Sequence, residues 1–126
     1  MSQYYEVGDR VLWNPSTGVS RLFHGQVPVF EERVGVASGI GPMVNDDCRV
    51  DPAALAVFAQ ALLDWDLRVG HSINRALSEG FVGTVLALAS RAGVTLTWPS
   101  LPDLGRGARL RRLARELEQV MPGDRP

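Results

Sequence analysis

Apolar residues recur every third or fourth position along most of this chain, which is the spacing of amphipathic helices. The first such segment runs from Val19 to Val34, and Gly35 after it is a typical helix stop. Pro28 lies inside the segment, where it removes a backbone hydrogen bond and crowds the carbonyl of His24. We therefore expect a kink near His24, or two short helices.

Two more helical segments follow in the middle of the chain. Asp51-Pro52 is a strong helix start, with an N-cap and a proline at the first helical position. The apolar spacing after it predicts one long helix to about Leu77, loosened at Gly70. From Ser78 to Gly93 apolar residues surround the helix almost completely, which predicts a central buried helix.

The remaining segments predict a last helix and several short strands. Leucines at 110, 113 and 117 with Val120 give the last helix, after a Pro- and Gly-rich connector over 99–107. Residues 3–7 and 10–13 predict a hairpin around Gly8-Asp9, and 48–50 and 94–98 predict further short strands. The expected fold is α+β, with about four helices and a small antiparallel sheet of three to four strands. We expect one domain over 1–121 and a frayed tail over 122–126.

The composition limits the chemistry. All 13 basic residues are arginine, so Schiff-base and Walker-type lysine chemistry is excluded. The net charge is −1, which gives no field for nucleic acid. The single cysteine, the polar start and the lack of a long apolar run lead us to expect a cytoplasmic protein with no membrane segment.

The segment from Ser38 to Pro52 lacks helical periodicity and is the first candidate for a functional surface. It is expected to meet an unidentified protein or small molecule through five residues: Gly39, Gly41, Met43, Asn45 and Asp46. Asn-Asp runs also form ordinary turns, so that explanation stays open. The alternating acids of a Ca²⁺ loop are missing, and we expect neither a metal nor a cofactor.

Four titratable residues are candidates for acid-base catalysis: His71, Asp64, His24 and Asp47. On one long helix, Asp64, Arg68, His71 and Arg75 would share a face, which is either a cleft or a solvated surface. His24 would instead line a pocket with Trp13 and Asp47. Cys48 is a possible nucleophile, but its acidic neighbours favour an inert buried thiol.

Two further features favour binding. The three tryptophans fit the core pattern, although Trp13 beside Asn14 could also contact a ligand. The last helix opens on arginines, with Arg109 and Arg112 as candidate binding residues, and this order opposes the helix dipole. We expect these arginines to pair within the chain or with a partner protein, and not with nucleic acid.

Three stretches carry a family resemblance: Glu6 to Ser16, Ser38 to Met43, and Glu79 to Leu86. They resemble an uncharacterised family of small, single-domain actinobacterial proteins, over roughly Ser2 to Leu96. The absence of lysine fits that origin, and the family brings no activity with it.

Two functions remain open at this point. The first is a small cytoplasmic binding or regulatory protein, of the immunity or accessory kind. The second is a cofactor-independent enzyme of secondary metabolism, a cyclase or isomerase, with a His/Asp acid-base pair in an apolar pocket. An enclosed apolar cavity would favour the enzyme, whereas an exposed apolar patch would favour the binding protein.

Overall fold

The computed structural model describes residues 1–98 and 104–123, with the backbone alone at Leu104. Within them lie four strands and four helices, in this order: β1 Tyr4–Val7, β2 Arg10–Trp13, α1 Thr17–Val34, β3 Ile40–Val44, β4 Asp47–Val50, α2 Pro52–Arg68, α3 Ser72–Arg91 and α4 Leu104–Val120.

The four strands form one mixed sheet in the order β2-β1-β4-β3. Both outer pairs are antiparallel, but β1 and β4 run parallel in the centre. The expected α+β fold, with four helices and an N-terminal hairpin, is confirmed. The expectation of a wholly antiparallel sheet is corrected. After α1 and β3 the chain forms β4, which lies beside β1 and runs in the same direction. Gly8 turns the first hairpin with a φ of 58°.

The segment predicted to be an irregular crossover is a second hairpin, β3-β4. Asn45 and Asp46 have φ values of 52° and 65°, the two left-handed residues that a type I′ turn requires. The sequence pattern missed β3 because Gly41-Pro42 is unusual in strands. Proline is tolerated here because β3 is an edge strand whose register shifts between Ile40 and Met43.

The prediction of one long helix through Gly70 is wrong. α2 ends at Arg68, and α3 begins at Ser72 with its own N-cap, His71. The Nδ1 atom of His71 accepts a hydrogen bond from the backbone N–H of Asn74, which satisfies a free donor of the new helix. The apolar spacing continues across the break, so periodicity alone did not detect it.

The segment 94–98 alternates in exposure as predicted but forms no strand. Its backbone pairs with a side chain instead of a neighbouring strand. The Gln60 amide accepts from the N–H of Thr97 at 2.8 Å and donates to the Thr97 carbonyl at 2.9 Å. The alternating pattern therefore predicted correctly which side chains are partly buried. It predicted incorrectly that the backbone pairs with a neighbouring strand.

The core lies between the sheet and the helices and is rich in stacked rings. Phe81 of α3 stacks on Phe30 and Phe23 of α1, with ring centroids 4.2 and 5.3 Å away. Tyr5 stacks on Trp13 at 5.2 Å beside them. α1 passes through Pro28 as one helix of 18 residues, so the alternative of two short helices is wrong.

The C-terminal part of the described chain returns to the sheet. α4 begins at Leu104, so the predicted connector over 99–107 is too long at its end, and residues 99–103 lie outside the described part. After α4, Met121 is buried and the Pro122 carbonyl accepts from the N–H of Asn14 at 2.6 Å. Residues 124–126 of the predicted frayed tail also lie outside the described residues, and that expectation stays a prediction.

Candidate functional site: an apolar groove between α1, α3 and α4

An open groove of about 640 Å³ runs between the first half of α1, the middle of α3 and the end of α4. Three buried rings, Trp13, Phe23 and Phe81, lie in its lining. Phe23 of α1 stacks on Phe81 of α3, and the ring of Trp13 from β2 meets the Phe23 ring edge-on at 5.4 Å. Trp13 is the one predicted binding residue that the groove contains.

Large apolar side chains also line the groove and are mostly exposed to solvent: Leu22 of α1 is 71% exposed, Leu77 of α3 is 78% exposed, and Val120 of α4 is 74% exposed. The helical pattern had assigned these residues to the core face of their helices, and that assignment is corrected. Apolar side chains gathered on one concave surface are typical of an interaction site.

The polar side chains that line the groove are already engaged with neighbouring backbone. The Ser16 hydroxyl caps α1 by accepting from the N–H of Val19, and Gln26 donates to the Leu22 carbonyl at 2.9 Å. The Thr84 hydroxyl donates to the Gly80 carbonyl at 2.7 Å. None of the described lining residues carries an acid, a base or a thiol. The surface is therefore suited to apolar contact and not to acid-base chemistry.

α3 carries two glycines in contrasting surroundings. A Cβ added to Gly83 would lie 2.8 Å from a methyl carbon of Leu113 in α4, so α4 packs tightly against this side of the helix. A Cβ added to Gly80, which lines the groove, would have no described atom within 4 Å. The groove side of α3 thus has room for a close neighbour that the described residues do not supply there.

The predicted cluster around His71 is not formed. Asp64 lies on α2 and accepts from Gln60 at 3.0 Å, whereas His71 caps α3. Arg75 turns back to donate to the Val69 carbonyl at 3.1 Å. The helix break leaves Asp64 and Arg68 on α2 and places His71 and Arg75 at the start of α3, so the face proposed for one continuous helix is wrong.

His24 and Asp47 do not form an acid-base pair either. The His24 ring lies 6.0 Å from the ring of Tyr5 and makes no hydrogen bond or ion pair with any described residue. Burial lowers the pKa of His24 and favours the neutral ring. Asp47 lies on β4, in register with Tyr4.

The candidate residues of the β3-β4 hairpin have structural explanations. A Cβ on Gly39 would lie 2.7 Å from the Asp51 carbonyl, and its φ is 75°, so only glycine fits there. Asp46 forms the turn and accepts from the Gln3 amide at 3.1 Å. A binding role for Gly39, Gly41, Met43, Asn45 and Asp46 stays a prediction.

The thiol of Cys48 is fully buried in the sheet, and it donates to the Gly41 carbonyl at 3.2 Å. Burial raises the pKa of this thiol to about 11. A nucleophilic thiol would need a lowered pKa instead. The burial of Cys48 therefore agrees with the expectation of an inert thiol. Burial likewise raises the pKa of Tyr5 to about 12, and its hydroxyl hydrogen-bonds that of Ser20 at 2.8 Å.

The arginines at the start of α4 divide into two groups. Arg106 donates twice to the buried Asp66 carboxylate of α2, at 2.8 and 2.9 Å, and also reaches Glu79 of α3 at 3.2 Å. Arg109 pairs with Glu79 at the surface and, with Arg106, lowers the pKa of that carboxyl. Arg112 makes no hydrogen bond or ion pair with any described residue. The expected pairing within the chain therefore covers Arg106 and Arg109.

The described residues contain neither a cluster of metal ligands nor a membrane-spanning helix. No group of three or more His, Cys, Asp or Glu side chains is arranged to hold a metal ion. None of the described helices combines the length and the apolar character needed to span a bilayer.

The fold and the groove define a small α+β protein with a mixed four-stranded sheet and an uncharged apolar groove on its helical side. The chain belongs to DUF6086, a family of unknown function whose model matches residues 1–123. No curated protein and no solved structure matches it significantly.

Proposed function

We propose that this protein is a small binding or regulatory protein, of the accessory or immunity kind, that docks a partner protein in the apolar groove. The observation that carries the proposal is the exposure of Leu22, Leu77 and Val120 around a concave surface with no titratable side chain in its described lining. A cofactor-independent enzyme would need an acid or base in its pocket, and the groove offers none.

The setting of the proposal is the cytoplasm of an actinobacterium. A single buried thiol suits a reducing compartment, and 13 arginines without a lysine suit a GC-rich genome. A role in secondary metabolism belongs to the enzyme alternative and has no support from the groove.

The size of the expected contact follows from the exposed side chains. Covering one large apolar side chain contributes about 1.5–3 kcal/mol. Replacing Leu77 by Asp removes that contribution and leaves a charge to be desolvated, so binding should weaken by at least about tenfold. Val57 on α2 is 58% exposed and lies outside the groove, so Val57→Asp is a matched control.

The experiment uses the wild-type protein, Leu77→Asp and Val57→Asp, each immobilised and exposed to lysate of the native host. Captured proteins are identified by quantitative mass spectrometry, and binding is then measured with the purified partner. We expect a partner that wild type and Val57→Asp retain and Leu77→Asp loses. Equal capture by all three proteins would overturn the proposal.

Two other outcomes would also overturn it. Sedimentation of the wild type as a dimer that Leu77→Asp dissociates would make a second copy of the chain the occupant. A small molecule that co-purifies, without any partner protein sensitive to Leu77→Asp, would favour the enzyme.

A further inference from the structure

The lining of the apolar groove includes two elements that are far apart in the chain. β2 contributes Trp13, and the end of α4 with the residue after it contributes Leu117, Val120 and Met121. The width of the groove therefore depends on how β2 and the end of α4 are held against each other. One side chain that is not part of the lining, Arg91, joins them.

Arg91 is the last residue of α3, and its guanidinium makes a hydrogen bond to the backbone of each of these two elements. Nη1 donates to the carbonyl of Leu12 in β2 at 2.8 Å, and Nη2 donates to the carbonyl of Glu118 in α4 at 2.5 Å. Leu12 directly precedes Trp13, and Glu118 directly follows Leu117. Each accepting carbonyl thus belongs to the neighbour of a residue that lines the groove.

Both carbonyls are acceptors that regular secondary structure leaves open. β2 is an outer strand of the sheet, so one of its edges has no neighbouring strand. In a longer helix the Glu118 carbonyl would accept from the backbone of residue 122, but Pro122 has no N–H. Arginine suits this place because its planar guanidinium presents several donors in a fixed fork, whereas lysine donates from a single point.

The chain that follows α4 packs closely against this guanidinium. A Cβ added to Gly123 would lie 2.7 Å from Nη1 of Arg91 and 3.4 Å from the Leu12 carbonyl. Glycine at this position therefore leaves the space that the guanidinium needs. The hydrogen bond from the Asn14 N–H to the Pro122 carbonyl also links the two regions, but it holds the chain after the helix, whereas Arg91 holds the last turn itself.

We propose that Arg91 is a positioning residue of the groove, which holds the last turn of α4 against β2 and so sets the groove width that binding requires. This inference rests on the proposed function and assigns the residue that fixes the geometry of its site. If the last turn is free to move, only a fraction of the molecules has the binding arrangement, and the apparent dissociation constant rises by the inverse of that fraction. Loss of the Arg91 hydrogen bonds should therefore weaken binding without removing any side chain from the groove.

The test measures the groove width directly with two nitroxide labels. They are attached to Leu22→Cys on α1 and Val120→Cys on α4, because both side chains are exposed and line the groove. Cys48 is fully buried and stays unlabelled in the folded protein. Pulsed electron paramagnetic resonance then gives the distribution of distances between the labels.

Three variants are compared with the wild type in this labelled background. Arg91→Gln removes the forked donor, and Gly123→Ala displaces the guanidinium while Arg91 is kept. Arg49→Gln is the matched control, because it also removes an arginine bond to a backbone carbonyl, that of Gly8 at 2.7 Å, but neither residue lines the groove. Circular dichroism first confirms that each variant is folded, and Gly123→Ala decides alone if Arg91→Gln does not fold.

We expect one narrow distribution in the wild type and in Arg49→Gln, and a broader or shifted distribution in Arg91→Gln and Gly123→Ala. Binding is measured without labels, by fluorescence titration with the apolar dye anilinonaphthalene sulfonate. If a fifth of the distribution keeps the wild-type distance, dye binding should weaken about fivefold. A distribution in Arg91→Gln that matches Arg49→Gln, or a broadened one with unchanged dye affinity, would overturn this inference alone. Dye binding that Leu77→Asp does not weaken would count against the proposed function, whereas the measured distances judge the role of Arg91 independently.

Discussion

The buried ion pair between Asp66 and Arg106 makes a quantitative prediction about what attaches α4 to the domain. Asp66 is 1% exposed and Arg106 is 8% exposed, and two hydrogen bonds of 2.8 and 2.9 Å join them. The bonds to Asp66 raise the pKa of Arg106, so its charge cannot be lost on burial. Asp66→Asn keeps the shape of the side chain but leaves the guanidinium without its principal counter-charge.

Breaking one partner of a buried pair costs roughly 3–5 kcal/mol. Arg106 keeps its contact with Glu79 at 3.2 Å, so we expect the lower end, about 3 kcal/mol. For a domain of 126 residues this corresponds to a fall of roughly 10 °C in Tm. The assay is urea unfolding at pH 7, followed by circular dichroism, with the slope against urea compared between variants.

Two further variants make the reasoning refutable. Arg109→Gln removes the surface pair with Glu79, in which the arginine side chain is 61% exposed, and should change the stability much less than Asp66→Asn does. Asp66→Leu combined with Arg106→Met replaces both charges with apolar groups and should recover most of the loss. If Asp66→Asn costs no more than Arg109→Gln, the buried pair does not hold α4 in place.

Two other predictions concern the sheet. Because burial raises the pKa of Cys48 from 9.0 to about 11, the folded protein keeps a proton that the unfolded chain releases. The free energy of unfolding should therefore fall by up to ~3 kcal/mol as pH rises from 9 to 11. In Cys48→Ala the fall should be smaller. Equal pH dependence of the unfolding free energy in the two proteins, measured by urea unfolding, would contradict this. Gly39→Ala should lower the free energy of unfolding by ~2–5 kcal/mol, because the new Cβ would lie 2.7 Å from the Asp51 carbonyl and φ is 75°. Gly25→Ala, in an open helical position, should instead raise it by up to ~1 kcal/mol. A folded Gly39→Ala protein as stable as the wild type would show that this contact is relaxed.

Local signals in the sequence correctly predicted the end of α1, the start of α2 and the first hairpin. Gly35 ends α1 with a φ of 75°, and the Asp51 side chain caps α2 by accepting from the N–H of Ala53 at 3.0 Å. Each of these effects depends on one residue and its immediate neighbours, so the sequence contains the necessary information. The hairpin at Gly8 belongs to the same group.

The incorrect predictions in α1 and α3 concern which apolar side chains are covered by neighbouring helices. The apolar spacing of α1 and α3 gave the correct face for Phe23 and Phe81, but it could not separate them from Leu22 and Leu77, which lie at the edge of the same stripe. Only the positions of neighbouring helices decide which edge is covered. An excess of large apolar residues over what one face can bury was the available signal for the groove.

The attachments of α4 bear on how the groove works. Its first half is fixed by the Arg106–Asp66 pair, and its end is fixed by buried Met121 and by the hydrogen bond from Asn14 to Pro122. The α4 wall of the proposed docking groove is therefore held at both ends. A preformed site avoids the entropy cost of ordering a loop, so most of the apolar contact can appear as affinity. It follows that variants within the groove should change the dissociation rate more than the association rate.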